Sequence, residues 1–224
     1  MIDCSAIIVA AGSSRRAGFD KLMALLDGTC VLRRSLEVFL ECPLIREVVL
    51  VCPEDRFVRV MEGERPGVPV RRVDGGRERC FSVLAGLSAL QGESPLVAIH
   101  DGARPLLRQE HLMNCIEAAS VHGAAASAHP VVDTLKRADD AHFSQAEFID
   151  REHLWAMETP QVFDVALIRE AYRHVLETGD LVTDEVSALE HMGRATFLVQ
   201  NPWPNPKITL PGDLAMATAL RAMI

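Results

Sequence analysis

The sequence predicts an α/β fold: a mainly parallel sheet with helices packed on both faces, a three-layer sandwich. Short apolar runs alternate with amphipathic segments of helical length along most of its 224 residues. Two of those runs end in loops of small or charged residues, as strands do at the ligand-binding edge of parallel sheets. No internal repeat is visible, and the length suits one domain over residues 1–224, with an excursion at about 131–155.

The elements follow in order. Residues 6–9 read as a buried strand, and 31–40 as a helix with Leu32, Leu36, Phe39 and Leu40 on one face. Residues 47–52 are a β-branched strand, 53–62 a polar helix and 68–73 a short strand. A helix over 82–90 repeats Val83, Leu84, Leu87 and Leu90 at helical spacing. A strand over 96–100 ends at Asp101, a helix covers 111–121, and 124–128 is a strand of small residues.

The alternation breaks at 131–149, which holds paired aspartates and no helical face. Alternating positions such as Val132, Thr134 and Lys136 fit an exposed β-arm, which needs a surface to dock on, most simply a second copy of the chain. An irregular loop fits the same pattern. The chain returns through 160–163, then helices near 166–176 and 183–192 and a strand at 196–199. An extended proline loop at 201–206 and residues 207–210 lead to a last helix over 213–223.

Composition narrows the function. A net charge of −8 excludes a general binder of nucleic-acid polymers or anionic membranes. No apolar run approaches the ~20 residues of a membrane span, and the start lacks the basic and apolar pattern of a secretion signal. The six cysteines form no C-x-x-C pair and read as buried thiols of a cytoplasmic protein. The histidines form no H-E-x-x-H motif.

Directly behind the first strand, residues 10–21 read A-A-G-S-S-R-R-A-G-F-D-K. Small side chains let backbone N–H groups approach a polyphosphate, while Arg15, Arg16 and Lys21 supply the opposing charge. Lys21 precedes Leu22 and has no glycine before it, which excludes a Walker loop. Ser14 stands where a dinucleotide fingerprint needs its second glycine. The segment points to a nucleoside triphosphate held by another kind of loop. Further motifs follow: Asp74-Gly75-Gly76-Arg77-Glu78-Arg79 with Ser82, then His100-Asp101-Gly102-Ala103-Arg104-Pro105, Asp133-Thr134, Glu158-Thr159-Pro160-Gln161, Thr183-Asp184-Glu185 and Asn205-Pro206-Lys207.

In this order, from Ala6 to Ala219, the set resembles the 2-C-methyl-D-erythritol 4-phosphate cytidylyltransferases of the non-mevalonate isoprenoid pathway. The resemblance implies a Rossmann-like, GT-A-like nucleotidyltransferase fold whose β-arm exchanges across a homodimer. It implies that CTP and a small polyol phosphate are the substrates and that Mg2+ or another divalent cation takes part. Ala10, Ala11, Gly12, Ser13, Ser14 and Arg15 would wrap the triphosphate, with Arg16 and Lys21 on the reacting phosphates. Gly76 and Ser82 would read the cytosine; Asp101, Ala103 and Arg104 would meet the nucleotide sugar or the acceptor, with Asp101 near the metal. Thr134, Arg151 and Thr159 match acceptor-binding positions, Thr134 and Arg151 reaching in from a partner's arm. Lys207 matches a second catalytic lysine, and Arg151 completes the catalytic cations.

The chain departs from the family pattern in its short spacing from Arg16 to Lys21 and in Asp20 before the lysine. That compact R-x-G-x-D-K form is similar to molybdenum-cofactor guanylyltransferases. The other readings are a cytidylyltransferase for another polyol phosphate, such as ribitol 5-phosphate, and a nucleotide-binding regulatory protein on the same fold.

Overall fold

The computed structural model describes residues 2–12, 18–63, 65–180 and 182–223. It begins with strand β1 (Cys4–Val9), a small ribbon of β2 (Leu25–Leu26) and β3 (Thr29–Cys30), and helix α1 (Val31–Glu41). Strand β4 (Ile45–Val51), helix α2 (Glu54–Met61), strand β5 (Val70–Val73), helix α3 (Arg79–Ala89) and strand β6 (Leu96–Asp101) follow. Helix α4 (Gln109–His122), strands β7 (Ala124–Pro130) and β8 (Trp155–Asp164), helices α5 (Val165–Thr178) and α6 (Glu185–Glu190), strand β9 (Phe197–Gln200) and helix α7 (Pro211–Arg221) complete it.

Among the described residues seven strands make one sheet in the order β5-β4-β1-β6-β8-β7-β9. β8 runs antiparallel to both of its neighbours, and every other adjacent pair is parallel. Strands β1 and β6 are buried on both faces, which is why they read as continuous apolar runs rather than alternating ones. Period-two alternation then sorts their side chains between two cores. Ala6 and Ile8 join Leu36 and Phe39 of α1 and Leu112 and Ile116 of α4, whereas Ile7 joins Val83 of α3 and Ile168 and Tyr172 of α5. Each fully buried Leu or Ile stabilises the fold by roughly 1.5–3 kcal/mol. The two clusters are the cores between the sheet and the helical layers on either side of it, as the predicted sandwich requires.

Most element boundaries move by a few residues from the sequence expectation. Helix α3 starts three residues early, at Arg79, and α6 is shorter than the segment 183–192. Asp184 starts α6 as its N-cap, because its carboxylate accepts the Ser187 N–H at 2.9 Å and forms a capping box with that residue. The β2–β3 ribbon escaped sequence analysis. Its signal was Asp27-Gly28, whose φ angles of 50° and 81° suit a two-residue hairpin turn.

The excursion leaves the sheet between β7 and β8. The expected ribbon of alternating strands is reduced there to one bridge, Ala138 with Ser144. Its residues are largely exposed, including Val132, Phe143 and Phe148, so a single chain offers no apolar face against which a longer ladder could form.

Candidate active site

The carboxyl ends of β1 and β6 lie side by side, because Val9 and Asp101 are register partners. The Gly102 N–H donates to the Val9 carbonyl at 3.0 Å, so both turns leave the sheet together. From the first turn, Ala10 is buried and donates its N–H to the Val51 carbonyl at 2.9 Å. The Asp74-Gly75-Gly76 turn packs directly on this segment. A Cβ built on Gly75 would lie 2.1 Å from Ala11 Cβ and 2.9 Å from Ser82 Oγ, an approach that only glycine admits. Ser82 Oγ accepts the Gly76 N–H at 3.1 Å and donates to the Glu78 carbonyl at 3.2 Å, fastening that turn to the first turn of α3. Gly12 follows Ala11; Ser13, Ser14, Arg15 and Arg16 lie outside the described residues.

At the tip of β6 the Asp101 carboxylate holds two cations. Arg79 Nε donates to Oδ1 at 3.0 Å and Lys207 Nζ stands 2.7 Å from Oδ2. Burial pushes the Asp101 carboxyl up, but the Arg79 and Lys207 charges outweigh it and hold the group well below the usual carboxylate range. Arg79 is itself gripped by Glu185, at 2.5 and 2.9 Å, and Tyr172 donates its hydroxyl to the same carboxylate at 2.8 Å. A chain of alternating charge therefore runs from the interior of α6 to Lys207 at the surface.

Beneath it, the Thr159 hydroxyl accepts the Asp101 N–H at 3.1 Å and lies 3.0 Å from His100 Nδ1. His100 Nε2 lies 3.1 Å from the Arg104 carbonyl, which can only accept. Nε2 therefore carries the proton and Nδ1 accepts from Thr159. Burial pulls the His100 pKa down to about 4, which keeps the ring neutral at physiological pH. Arg104 donates to the Asn205 carbonyl at 2.7 Å, and the Ala103 carbonyl accepts from Ile208 N–H at 2.9 Å. The loop carrying Lys207 is thus clamped on both sides of the lysine.

A cavity of about 390 Å³ opens over this frame, with Arg79, Asp101, Arg104, Thr159, Thr183 and Lys207 in its wall. That is the size range of small-molecule sites. Lys21 borders the same end of the molecule. After the Leu210 and Thr209 backbone N–H groups, it helps to hold the Asp213 carboxyl low, just beyond Lys207 in the chain. Thr134 and Arg151 are not brought into the cavity of their own chain: both are exposed on the excursion, where Arg151 Nη1 donates to the Val132 carbonyl.

Among the described residues the donor set does not build a resident metal site. Among the described residues no three His, Cys, Asp or Glu side chains converge on a common point. Asp101, expected near the metal, presents its oxygens to Arg79 and Lys207.

A family model described as 2-C-methyl-D-erythritol 4-phosphate cytidylyltransferase matches residues 4–222. The chain belongs to that family. A cytidylyltransferase of this name from Caldanaerobacter subterraneus subsp. tengcongensis is 41% identical over 222 residues, covering 96% of this chain and 97% of the relative. A chloroplastic one from Oryza sativa is 36% identical, over 96% of this chain and 73% of its own length. The crystal structure of 4-diphosphocytidyl-2C-methyl-D-erythritol synthase from Anaerococcus prevotii superposes with a TM-score of 0.86 at 30% identity, covering 99% of each chain. The cytidylyltransferase structure from Thermus thermophilus gives 0.80 at 30% identity, over 99% of this chain and all of that one.

Within this cytidylyltransferase fold, Arg79 and Arg56 hold positions that no local pattern in the sequence marks. Arg79 stood in a quoted motif, one turn before the predicted start of its helix, with nothing local to mark its partners. Arg56 looked like one more charge on the polar helix, yet it is 9% exposed.

Proposed function

We infer that this chain transfers the cytidylyl group of CTP to 2-C-methyl-D-erythritol 4-phosphate in isoprenoid precursor biosynthesis, releasing pyrophosphate. The observation that carries this reading is the carboxyl end of β1, where the glycine segment begins, lying beside Asp101 at the tip of β6, with the Asp101–Lys207 pair in the wall of a cavity of small-molecule size. The acceptor phosphate oxygen forms a bond to the α-phosphorus as the bond from that phosphorus to the bridging oxygen breaks. The electron pair of the broken bond leaves with pyrophosphate. No protein nucleophile is needed, because the acceptor is already an anion.

The chemical problem is bringing two anions together. At an effective dielectric near 20, one pair of unit charges about 4 Å apart is worth roughly 4 kcal/mol. Arg16, Lys21 and Lys207, joined by Arg151 from a second protomer, would offset the repulsion between substrates and the charge gathering on the leaving group. A divalent ion would arrive on the triphosphate, as part of the nucleotide substrate. Ala10, Ala11, Gly12, Ser13, Ser14 and Arg15 wrap the triphosphate in this reading, while Gly76 and Ser82 face the base.

The exposed Val132, Phe143 and Phe148 favour a homodimer, in which the excursion docks on a neighbour and delivers Thr134 and Arg151 to the acceptor. Six free thiols suit the reducing cytoplasm, and among the described residues no helix is long and apolar enough to cross a membrane.

Pyrophosphate release tests the reading directly. It is expected with CTP only when 2-C-methyl-D-erythritol 4-phosphate is present. Equal rates with GTP, or with ribitol 5-phosphate as acceptor, would overturn the assignment of nucleotide or acceptor.

A further inference from the structure

Arg56 projects from α2 and ties together the two ends of the glycine segment. Its Nη1 donates to the Ala10 carbonyl, and its Nη2 lies 3.1 Å from Asp20 Oδ2. Both anchor points are otherwise fixed. Ala10 is held to β4 through Val51. The other Asp20 oxygen accepts the Leu22 N–H at 3.2 Å, and the Asp20 carbonyl accepts from Met23 and Ala24, both at 3.1 Å. Leu22 is buried, and its carbonyl accepts the Leu32 N–H at 2.9 Å. Lys21 therefore stands between two residues whose positions are set, one of them by Arg56.

We propose that Arg56 is a positioning residue: its ion pair with Asp20, tied back to the Ala10 carbonyl, holds the backbone beside Lys21 and so aims Lys21 at the triphosphate. This rests on the reading of that segment as the CTP site. A carboxylate beside a polyanion site is unfavourable by itself, since it repels the ligand. Pairing with Arg56 neutralises Asp20 and converts it into a fixed backbone anchor. An exposed ion pair would contribute little, but the Arg56 side chain is only 10% exposed and is also bonded to a main-chain carbonyl.

The test exploits a conflict of sign. Asp20→Asn removes a negative charge, so simple electrostatics predicts tighter CTP binding; loss of aim predicts the reverse. CTP affinity is measured by calorimetry for the full chain, Asp20→Asn, Lys21→Ala and the double variant, with thermal melts to verify folding. Asp20→Asn is expected to weaken CTP about tenfold, and to add less than about twofold once Lys21 is absent, since coupled residues are not additive. Arg56→Lys, which keeps the charge but not the two-pronged grip, should fall between wild type and Asp20→Asn. Unchanged or tighter binding by Asp20→Asn, or an equal loss with and without Lys21, overturns the proposal. Normal affinity in Lys21→Ala alone overturns the Lys21 assignment itself, and the clamp with it.

Discussion

Lys207 Nζ and Asp101 Oδ2 are 2.7 Å apart, at the point where the last loop of the chain crosses the tip of β6. The carboxylate holds the lysine over the cavity before any anion arrives, and Arg79 on its other oxygen stops it from turning away. Lys207→Ala should lower turnover by about a hundredfold or more while the chain stays folded with a modestly lower melting temperature, because the lysine is 40% exposed and the Asp101 carboxylate keeps Arg79 as a partner. Steady-state pyrophosphate release checks this, and near-normal turnover would remove Lys207 from the machinery.

Arg79 and Glu185 form the buried end of the same charge chain. Glu185 is fully buried, so Arg79→Met leaves it with Tyr172 as its remaining side-chain partner. Breaking a buried pair from one side costs about 3–5 kcal/mol. Urea unfolding should give a lower midpoint with an unchanged slope. A change below 1 kcal/mol would mean that water reaches the pair.

His100 makes stability depend on pH. Its pKa falls from 6.5 to about 4 on folding, so between those values the unfolded chain holds a proton that the native one lacks. The contribution is complete above pH 6.5 and is lost as pH falls toward about 4, amounting to about 3 kcal/mol. Unfolding free energies measured at pH 7.5 and pH 5 should therefore differ, and His100→Gln should flatten that part of the profile. A profile left unchanged by the substitution would assign the pH dependence to other groups.

Gly75 is the contact between two segments of the site. Gly75→Ala would press a methyl group against Ala11 and Ser82, and overpacking of this kind costs about 1–3 kcal/mol. Because the strain falls on the glycine turn, the KM for CTP should rise more than the KM for the acceptor. Equal changes in both would place the strain elsewhere.

The excursion offers a test of assembly. Replacing Phe148 and Val132 by Asp should leave each chain folded, since both side chains are exposed, yet shift the sedimentation of the proposed dimer to that of a monomer. Activity should fall in parallel, because the proposed delivery of Arg151 and Thr134 to a neighbouring site is then lost. A variant that is monomeric and fully active would dismiss the shared site.

How much was legible in the sequence differs between elements. Helices α1, α4 and α5 were readable because periodicity is local: Leu32, Leu36 and Phe39 recur on one face whatever the rest of the chain does. The glycine turns and the Asp101 strand end were readable for the same reason. The β2–β3 ribbon carried its Asp-Gly signal in plain view but flanked it with strands of two residues, too short for an alternation to register. The antiparallel course of β8 could not be read, because strand direction depends on where the excursion returns the chain.

By itself, the sequence determined the alternation of strands and helices, the turns that meet at one sheet edge, and the family those motifs belong to. Only the tertiary structure decided which side chains meet there: Arg79 with Glu185 and Asp101, Asp101 with Lys207, Arg56 with Asp20 and Ala10. Short-range patterns follow from backbone geometry within a few residues. An ion pair between distant segments depends on sheet register and helix packing across the whole domain, and no local pattern encodes that.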